Sequence, residues 1–148
     1  MSFWQSLRIG ESGLLAQRLR LDVISNNIAN AQTTHTAEGG PYKRQDVVFM
    51  PEGQSPFVPD FVRAMQGDSQ PLNGGVRVAS IVTEQEEGPE VYDHTHPDAD
   101  ADGYVKYPNV NPVVEMTNML SATRSYEANL ALIDASKTMA LKALDIGR

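Results

Sequence analysis

The distribution of proline divides this chain of 148 residues into three parts. All nine prolines lie between Pro41 and Pro112, so neither end of the chain contains a residue that would break a helix from within. Eight of the eleven glycines lie between Gly39 and Gly103. We therefore predict a mainly α protein with a small β element: an N-terminal helix and turn (1–35), a central β-hairpin and loop segment (36–110) and a C-terminal helix (111–148), together forming one domain.

The first segment shows a seven-residue apolar repeat that predicts a helix from about Phe3 to Asn27. Gly10 and Gln17 weaken this seam, and Gly13 costs about 1 kcal/mol of helix propensity relative to Ala. Asparagine tolerates left-handed geometry and competes for backbone hydrogen bonds, so a run of asparagines favours the end of the helix. The seam residues are Leu7, Leu14, Leu21, Ile24 and Ile28, and the asparagines are Asn26, Asn27 and Asn30.

The last segment predicts a longer helix. Asn111 is a suitable cap, Pro112 suits the first helical position, and Gly147 favours a stop. Apolar residues between these signals alternate by threes and fours, the spacing of a coiled-coil-like stripe that would pack with the first helix. The apolar members that we assign to an assembly interface are Met116, Met119, Tyr126, Leu130, Ile133 and Leu144.

The central segment predicts short strands, because valine and aromatic residues cluster there between turn residues. The predicted strands are Tyr42 to Met50, Gly75 to Glu84, Val91-Tyr92 and Tyr104 to Tyr107. Four prolines between Pro51 and Asn73 predict a loop.

Charge and composition exclude several classes of function. The chain has 12 Lys and Arg against 19 Asp and Glu, and residues 36–111 hold 13 acids and 5 bases, a net charge of −8. We expect no binding to nucleic acid or to anionic membranes, since both need clustered cations. Cysteine is absent, which excludes disulfides and cysteine nucleophiles. The longest apolar runs are four residues, too short for a membrane span or a cleavable signal peptide.

One loop carries residues that suggest a metal site. Asp98, Asp100, Asp102 and Gly103 match the first half of a calcium loop, but Asn109 stands where the bidentate glutamate is needed. The spacing of His94 and His96 is compatible with zinc, without a convincing third ligand. A small calcium- or ligand-binding module that uses the acidic 93–103 loop is therefore the alternative function; a solvated acidic turn is the simpler interpretation.

Catalytic motifs are missing from the sequence. It contains no nucleophile elbow, phosphate loop or dinucleotide fingerprint, so we expect no enzyme activity, no small-molecule substrate and no cofactor. The two terminal stripes expose more apolar surface than the small middle segment can cover. Because a long apolar stripe is stable mainly when packed against another surface, the pattern favours assembly with other chains.

Two terminal motifs resemble the flagellar rod and hook family of axial proteins. Residues 25–30, Ser-Asn-Asn-Ile-Ala-Asn, are similar to the motif that ends the N-terminal helix of this family. Residues 124–129, Arg-Ser-Tyr-Glu-Ala-Asn, resemble its C-terminal motif, in which we single out Arg124, Glu127 and Asn129. The middle segment, with residues 39–44 and 96–111, is similar to that of proximal-rod members.

This resemblance implies a structural subunit of the bacterial flagellar basal body, in the rod that crosses the periplasm and transmits torque. It also implies that the partners are other rod proteins, copies of the chain and the flagellar type III export apparatus. Export through that apparatus needs no cleaved signal peptide.

Overall fold

A computed structural model describes residues 3–52 and 74–146 of the chain. Helix α1 runs over Phe3–Ala29 and helix α2 over Pro112–Ile146. Between them lie four strands: β1 at Gln45–Pro51, β2 at Val76–Thr83, β3 at Glu90–Tyr92 and β4 at Tyr104–Lys106. The predicted fold class, two long terminal helices with a small β element between them, is confirmed.

The strands form two separate two-stranded sheets, β1 with β2 and β3 with β4. The Arg44 carbonyl accepts a hydrogen bond from the Glu84 N–H, and the Gly75 carbonyl accepts one from the Glu52 N–H. These two bonds join the start of each strand to the end of the other, so β1 and β2 are antiparallel. Strands β3 and β4 are also antiparallel, with Val91 opposite Val105.

The element boundaries differ from the prediction by a few residues. Helix α1 continues two residues past Asn27, to Ala29, and β1 begins at Gln45 instead of Tyr42. Tyr42 lies in the preceding loop, where its N–H donates to the Thr33 carbonyl. Most of the loop predicted between Pro51 and Asn73, and the stop predicted at Gly147, lie outside the described residues.

The start of α2 follows the prediction closely. The Asn111 side-chain oxygen accepts hydrogen bonds from the N–H groups of Val113 (3.0 Å) and Val114 (3.4 Å), and the Asn111 carbonyl accepts one from Glu115. This is the bonding pattern of an N-cap. Pro112 then occupies the first helical position, where its missing N–H leaves no bond unmade.

The chain divides into two compact units. One, which we call the terminal unit, comprises Met1–Arg18, Phe49–Ala79 and Arg124–Arg148. The other, the junction unit, comprises Leu19–Val48 and Ser80–Thr123. Each unit contains part of α1 and part of α2. The two units therefore do not coincide with the three segments predicted from the sequence. That those three segments form one domain stays a prediction. None of the described helices is long and apolar enough to cross a lipid bilayer.

A buried polar junction and exposed helix faces

Two polar side chains are among the most deeply buried residues of the junction unit. The largest fully buried side chains in the described residues are Glu115, Val105 and Asn27, and two of these three are hydrophilic. Glu115 is 1% exposed and Asn27 is 0% exposed. A buried polar group is costly unless it is hydrogen-bonded, so the partners of these two side chains determine whether this unit is stable.

Asn27 uses its whole side-chain amide to hold the start of β1. Its oxygen accepts hydrogen bonds from the Gln45 N–H and the Tyr42 hydroxyl, each at 3.0 Å. Its nitrogen donates to the Gln45 carbonyl at 2.7 Å and to a Glu115 carboxylate oxygen at 3.0 Å. The side chain thus pairs with both backbone groups of Gln45, as a neighbouring strand would, and leaves none of its own groups unpaired.

Glu115 is held by cationic and amide donors. Arg44 donates to one carboxylate oxygen through Nε at 3.0 Å and Nη2 at 2.9 Å, and Asn118 donates to the same oxygen at 3.3 Å. The other oxygen accepts the bond from Asn27. Glu115 also lies in the first turn of α2, where the helix dipole favours a negative charge. These interactions offset the cost of removing the carboxylate from water.

Arg44 connects the buried carboxylate to the end of β2. Its Nη1 lies 2.8 Å from a Glu84 carboxylate oxygen, and Asp46 lies 3.9 Å away. Burial alone lowers the pKa of the Arg44 guanidinium, but the hydrogen bond and charge of Glu115, together with Glu84 and Asp46, raise this pKa above its usual value. Burial, and then the charge of Glu115, also raise the pKa of the Tyr42 hydroxyl. We call Asn27, Tyr42, Arg44, Gln45, Glu84 and Glu115 the polar junction.

The three asparagines predicted to end α1 have different roles. Asn30 does serve the helix end: its side-chain nitrogen donates to the Asn26 carbonyl at 2.9 Å, and its side-chain oxygen accepts from the Thr33 hydroxyl. Asn26 is exposed. Asn27 lies in the last turn of the helix, and its side chain bonds to Tyr42, Gln45 and Glu115.

The terminal unit is built differently, around small residues. Gly10 and Gly13 are buried in α1. A Cβ atom on Gly10 would lie 2.8 Å from Ile133 Cγ1, and one on Gly13 would lie 2.7 Å from the side-chain nitrogen of Asn129. The order of these contacts shows that α1 and α2 are antiparallel in this unit, and the missing side chains allow their close approach. The glycines that weaken the heptad pattern in the sequence therefore lie at the helix contact.

Several large apolar residues of the terminal unit face away from that contact. Leu130 is 46% exposed and Leu144 is 71% exposed, whereas the buried position of α2 in this unit is Ser136. The other strongly exposed apolar residues of this unit include Trp4, Leu15, Leu132, Met139 and Leu141. Both helices of this unit therefore carry exposed large apolar side chains, which are typical of interaction surfaces when they lie close together.

The predicted interface residues have varied exposure. Ile24 is buried and Met116, Leu130 and Leu144 are exposed. The half-buried members are Leu7, Leu14, Leu21, Ile28, Met119, Tyr126 and Ile133. Of the C-terminal motif, Arg124 and Glu127 are exposed and Asn129 is half-buried beside Gly13. The assignment of these residues to an assembly interface stays a prediction.

The acidic loop uses its carboxylates in hydrogen bonds to its own turns and to Thr34. Asp98 accepts a hydrogen bond from the Thr34 hydroxyl at 2.7 Å, and Asp100 accepts from the N–H groups of Asp102 and Tyr104. Hydrogen bonds from Thr95 lower the pKa of Asp93. Among the described residues, no group of three or more His, Asp or Glu side chains is arranged to hold a metal ion. Nothing in this geometry supports the calcium-binding alternative.

Comparisons with known proteins find the same kind of protein along nearly the whole chain. Residues 7–34 match a family model described as flagella basal body rod protein, and residues 101–146 match one described as flagellar basal body rod FlgEFG protein C-terminal. The chain is 45% identical to the flagellar basal-body rod protein FlgC of Borreliella burgdorferi, over 99% of this chain and 98% of the relative. It is 41% identical to FlgC of Bacillus subtilis, over the full length of both.

FlgC of Salmonella typhimurium is 41% identical over 95% of this chain and 94% of the relative. The junction residues Asn27 and Glu115 and the two terminal motifs lie within the matched parts of the chain. The chain belongs to the FlgC family of flagellar basal-body rod proteins.

Proposed function

We propose that the chain is a structural subunit of the proximal rod of the bacterial flagellar basal body, where it joins the shaft that transmits torque. The observation that carries this proposal is the 45% identity to a FlgC rod protein over nearly the whole of both chains. The fold is consistent with a building element, since about half of the described residues are in two long helices and its most buried polar side chains, Asn27 and Glu115, bond to each other.

In this proposal the three sequence segments act as one axial domain, and the terminal helices make the contacts between subunits. The exposed apolar side chains of α2 become buried against neighbouring rod subunits or other copies of the chain. Full burial of a large apolar side chain contributes about 1.5–3 kcal/mol, from which the cost of ordering the helices is subtracted. Assembly and the final ordering of the terminal unit are then coupled.

The surroundings of the protein follow from the same proposal. The chain is exported through the flagellar type III apparatus without cleavage of a signal peptide, and it becomes part of the rod that spans the periplasm. Its partners are other rod proteins and copies of itself. It acts without catalysis, cofactor, nucleic acid or small-molecule substrate.

Complementation of a strain that lacks the gene tests this function. We expect the wild-type chain to restore swimming and complete basal bodies. Leu130→Asp should restore neither, because it places a charge where the proposed contact with a neighbouring subunit needs an apolar side chain. Leu130→Met keeps apolar volume and is the matched control, with nearly wild-type swimming expected. Normal swimming of the deletion strain would contradict the function, and normal swimming of Leu130→Asp would contradict the assigned surface.

A further inference from the structure

Strands β3 and β4 present two tyrosines to solvent. Tyr92 and Tyr104 are directly opposite in the antiparallel register, and their rings meet edge to face with centroids 5.4 Å apart. Tyr92 is 62% exposed and Tyr104 is 44% exposed. The neighbouring ring of His94 lies 6.1 Å from that of Tyr92. We call Tyr92, Tyr104 and His94 the aromatic face of the hairpin.

The turn beneath this face fixes the position of Tyr92. Gly103 has a φ of 84°, a backbone conformation that side chains other than glycine rarely adopt. A Cβ atom there would lie 2.9 Å from Cε2 of Tyr92, so the missing side chain leaves room for the ring. The Asp93 N–H donates to the Gly103 carbonyl, which holds the two strands together beside the rings. The two rings are thus preorganised while their outer surfaces remain accessible.

The stretch of chain that carries the aromatic face is strongly acidic. Residues 80–105 contain eight Asp and Glu residues and no Lys or Arg. The nearest cation in sequence, Lys106, lies 3.3 Å from both Glu87 and Glu90, and the hydrogen bonds to these two carboxylates raise the pKa of its ammonium group. The charge of Lys106 is therefore already matched. Glu84 is paired with Arg44, which leaves five carboxylates of this stretch, including that of Asp93 next to Tyr92, without a Lys or Arg partner among the described residues.

From this charge pattern we infer that the aromatic face binds the guanidinium group of an arginine on a neighbouring rod subunit. A planar cation is attracted to the negative face of an aromatic ring, and nearby carboxylates add electrostatic attraction. A purely apolar partner would gain nothing from the acidic surroundings. This inference rests on the proposed function, because it names the chemistry of one contact within the assembled rod.

A peptide titration of the full chain tests the recognition directly. The probe is a capped peptide of alternating glycine and arginine, and its control carries citrulline, which has the same shape without the charge. We expect the arginine probe to shift the NMR signals of the Tyr92 and Tyr104 rings, and the citrulline probe to leave them in place. Equal shifts with the two probes would overturn the inference, whatever any variant does.

Two matched double variants distinguish the contribution of the aromatic rings to binding from that of apolar volume alone. Tyr92→Phe with Tyr104→Phe keeps both rings, whereas Tyr92→Leu with Tyr104→Leu keeps apolar bulk without them. Since the leucine variant loses both cation–ring contacts, we expect binding of the arginine probe to weaken about fivefold or more in that variant and to stay near wild type in the phenylalanine variant. Equal binding by the two variants would overturn the role of the rings.

The same variants in the complementation strain distinguish the two proposals. We expect the leucine variant to lower rod assembly and the phenylalanine variant to preserve it. If both assemble normally while Leu130→Asp still abolishes swimming, the arginine contact is refuted and the rod function stands. If the deletion strain itself swims normally, the rod function is refuted, and the peptide titration alone decides whether the face binds arginine.

Discussion

The two units of this chain are held together by different buried contacts. In the junction unit, Asn27 and Glu115 are fully buried and every hydrogen-bonding group of the Asn27 amide has a partner. In the terminal unit, small residues make the helix contact, and leucines such as Leu144 face outward. The buried polar groups of the junction unit thus find their partners within the chain, whereas the helices of the terminal unit meet through small residues. Both units leave large apolar side chains exposed, among them Met116 in the junction unit and Leu144 in the terminal unit.

This difference predicts a gradient of stability within one molecule. A network of charged and amide groups is costly when broken, because each loss leaves another buried group without a partner. Helices that pack through glycine bury little apolar area and gain little from intrinsic propensity. We therefore expect the junction unit to be folded in the free chain, and the helix ends of the terminal unit to become fully ordered on assembly.

The largest expected effect on the free chain comes from Arg44→Met. Removing the guanidinium leaves the Glu115 carboxylate buried without its cation, and loss of one partner of such a pair costs about 3 kcal/mol. Urea unfolding of the purified chain measures this loss. Lys43→Met is the matched control, because Lys43 is exposed and its ammonium group bonds to Gln85, which is also exposed; we expect a change below about 0.5 kcal/mol. Equal stability of the two variants would contradict the role of the buried pair.

A smaller loss is expected for Asn27→Ala. This change leaves both backbone groups of Gln45 and one Glu115 oxygen without a bond, so unfolding should require about 2–3 kcal/mol less free energy. Asn26→Ala, at the exposed neighbouring position, should cost less than about 0.5 kcal/mol. Thermal unfolding followed by circular dichroism compares them. A loss of about 1 kcal/mol or less at Asn27 would contradict the role assigned to its buried hydrogen bonds.

Tyr42→Phe should have a smaller effect with a distinctive pH dependence. Burial and the charge of Glu115 raise the folded-state pKa of Tyr42 above 10.0. The Tyr42 hydroxyl therefore makes its full contribution to stability at a pH below its pKa in the unfolded chain. This contribution is lost as the pH rises through its pKa in the folded chain. The variant should lose about 1 kcal/mol at neutral pH, because the hydroxyl no longer donates to Asn27, and should lack this alkaline loss.

Urea unfolding at neutral pH and at about pH 11 measures both quantities for wild type and variant. Tyr126→Phe, in the terminal unit, is the control, and we expect it to keep the alkaline decline of the wild type. A Tyr42→Phe chain that loses stability with pH as steeply as wild type would show that Tyr42 does not titrate in the junction.

The smallest effect on the free chain is expected for Leu144→Asp. Because this side chain is 71% exposed, the variant should unfold within about 0.5 kcal/mol of wild type. Its incorporation into basal bodies should nevertheless fail, since the exposed leucine is part of the surface that we assign to assembly. Urea unfolding and immunodetection of purified basal bodies measure the two effects. A destabilised chain would show that Leu144 packs within the free molecule instead.

Local signals in the sequence were sufficient to predict the elements. The proline-free ends predict the two helices, Asn111 and Pro112 predict the start of α2, and the valine-rich runs predict β1 and β2. These features act over a few residues, so periodicity and capping chemistry reveal them. The terminal motifs were also sufficient to predict the family, which the full-length relatives confirm.

The buried contacts could not be predicted in the same way. Arg44 and Glu115 are 71 positions apart. No local sequence pattern shows that a glutamate in the first turn of a helix is buried against a distant arginine. The heptad pattern placed leucines at the helix contact, but the close approach is made at Gly10 and Gly13, whose role depends on the partner helix. A glutamate at the first turn of α2 and glycines inside α1 were the available signals, and both also fit a solvated helix.

Hydrogen exchange on the dilute, monomeric chain tests the central claim most directly. We expect slow exchange for amides of the junction unit around Asn27, Gln45 and Glu115, and much faster exchange for helix amides at 4–18 and 124–146. In isolated basal bodies both sets should be protected. Equal, strong protection of both helix regions in the free monomer would contradict the account, because the terminal unit would then be complete without any neighbour.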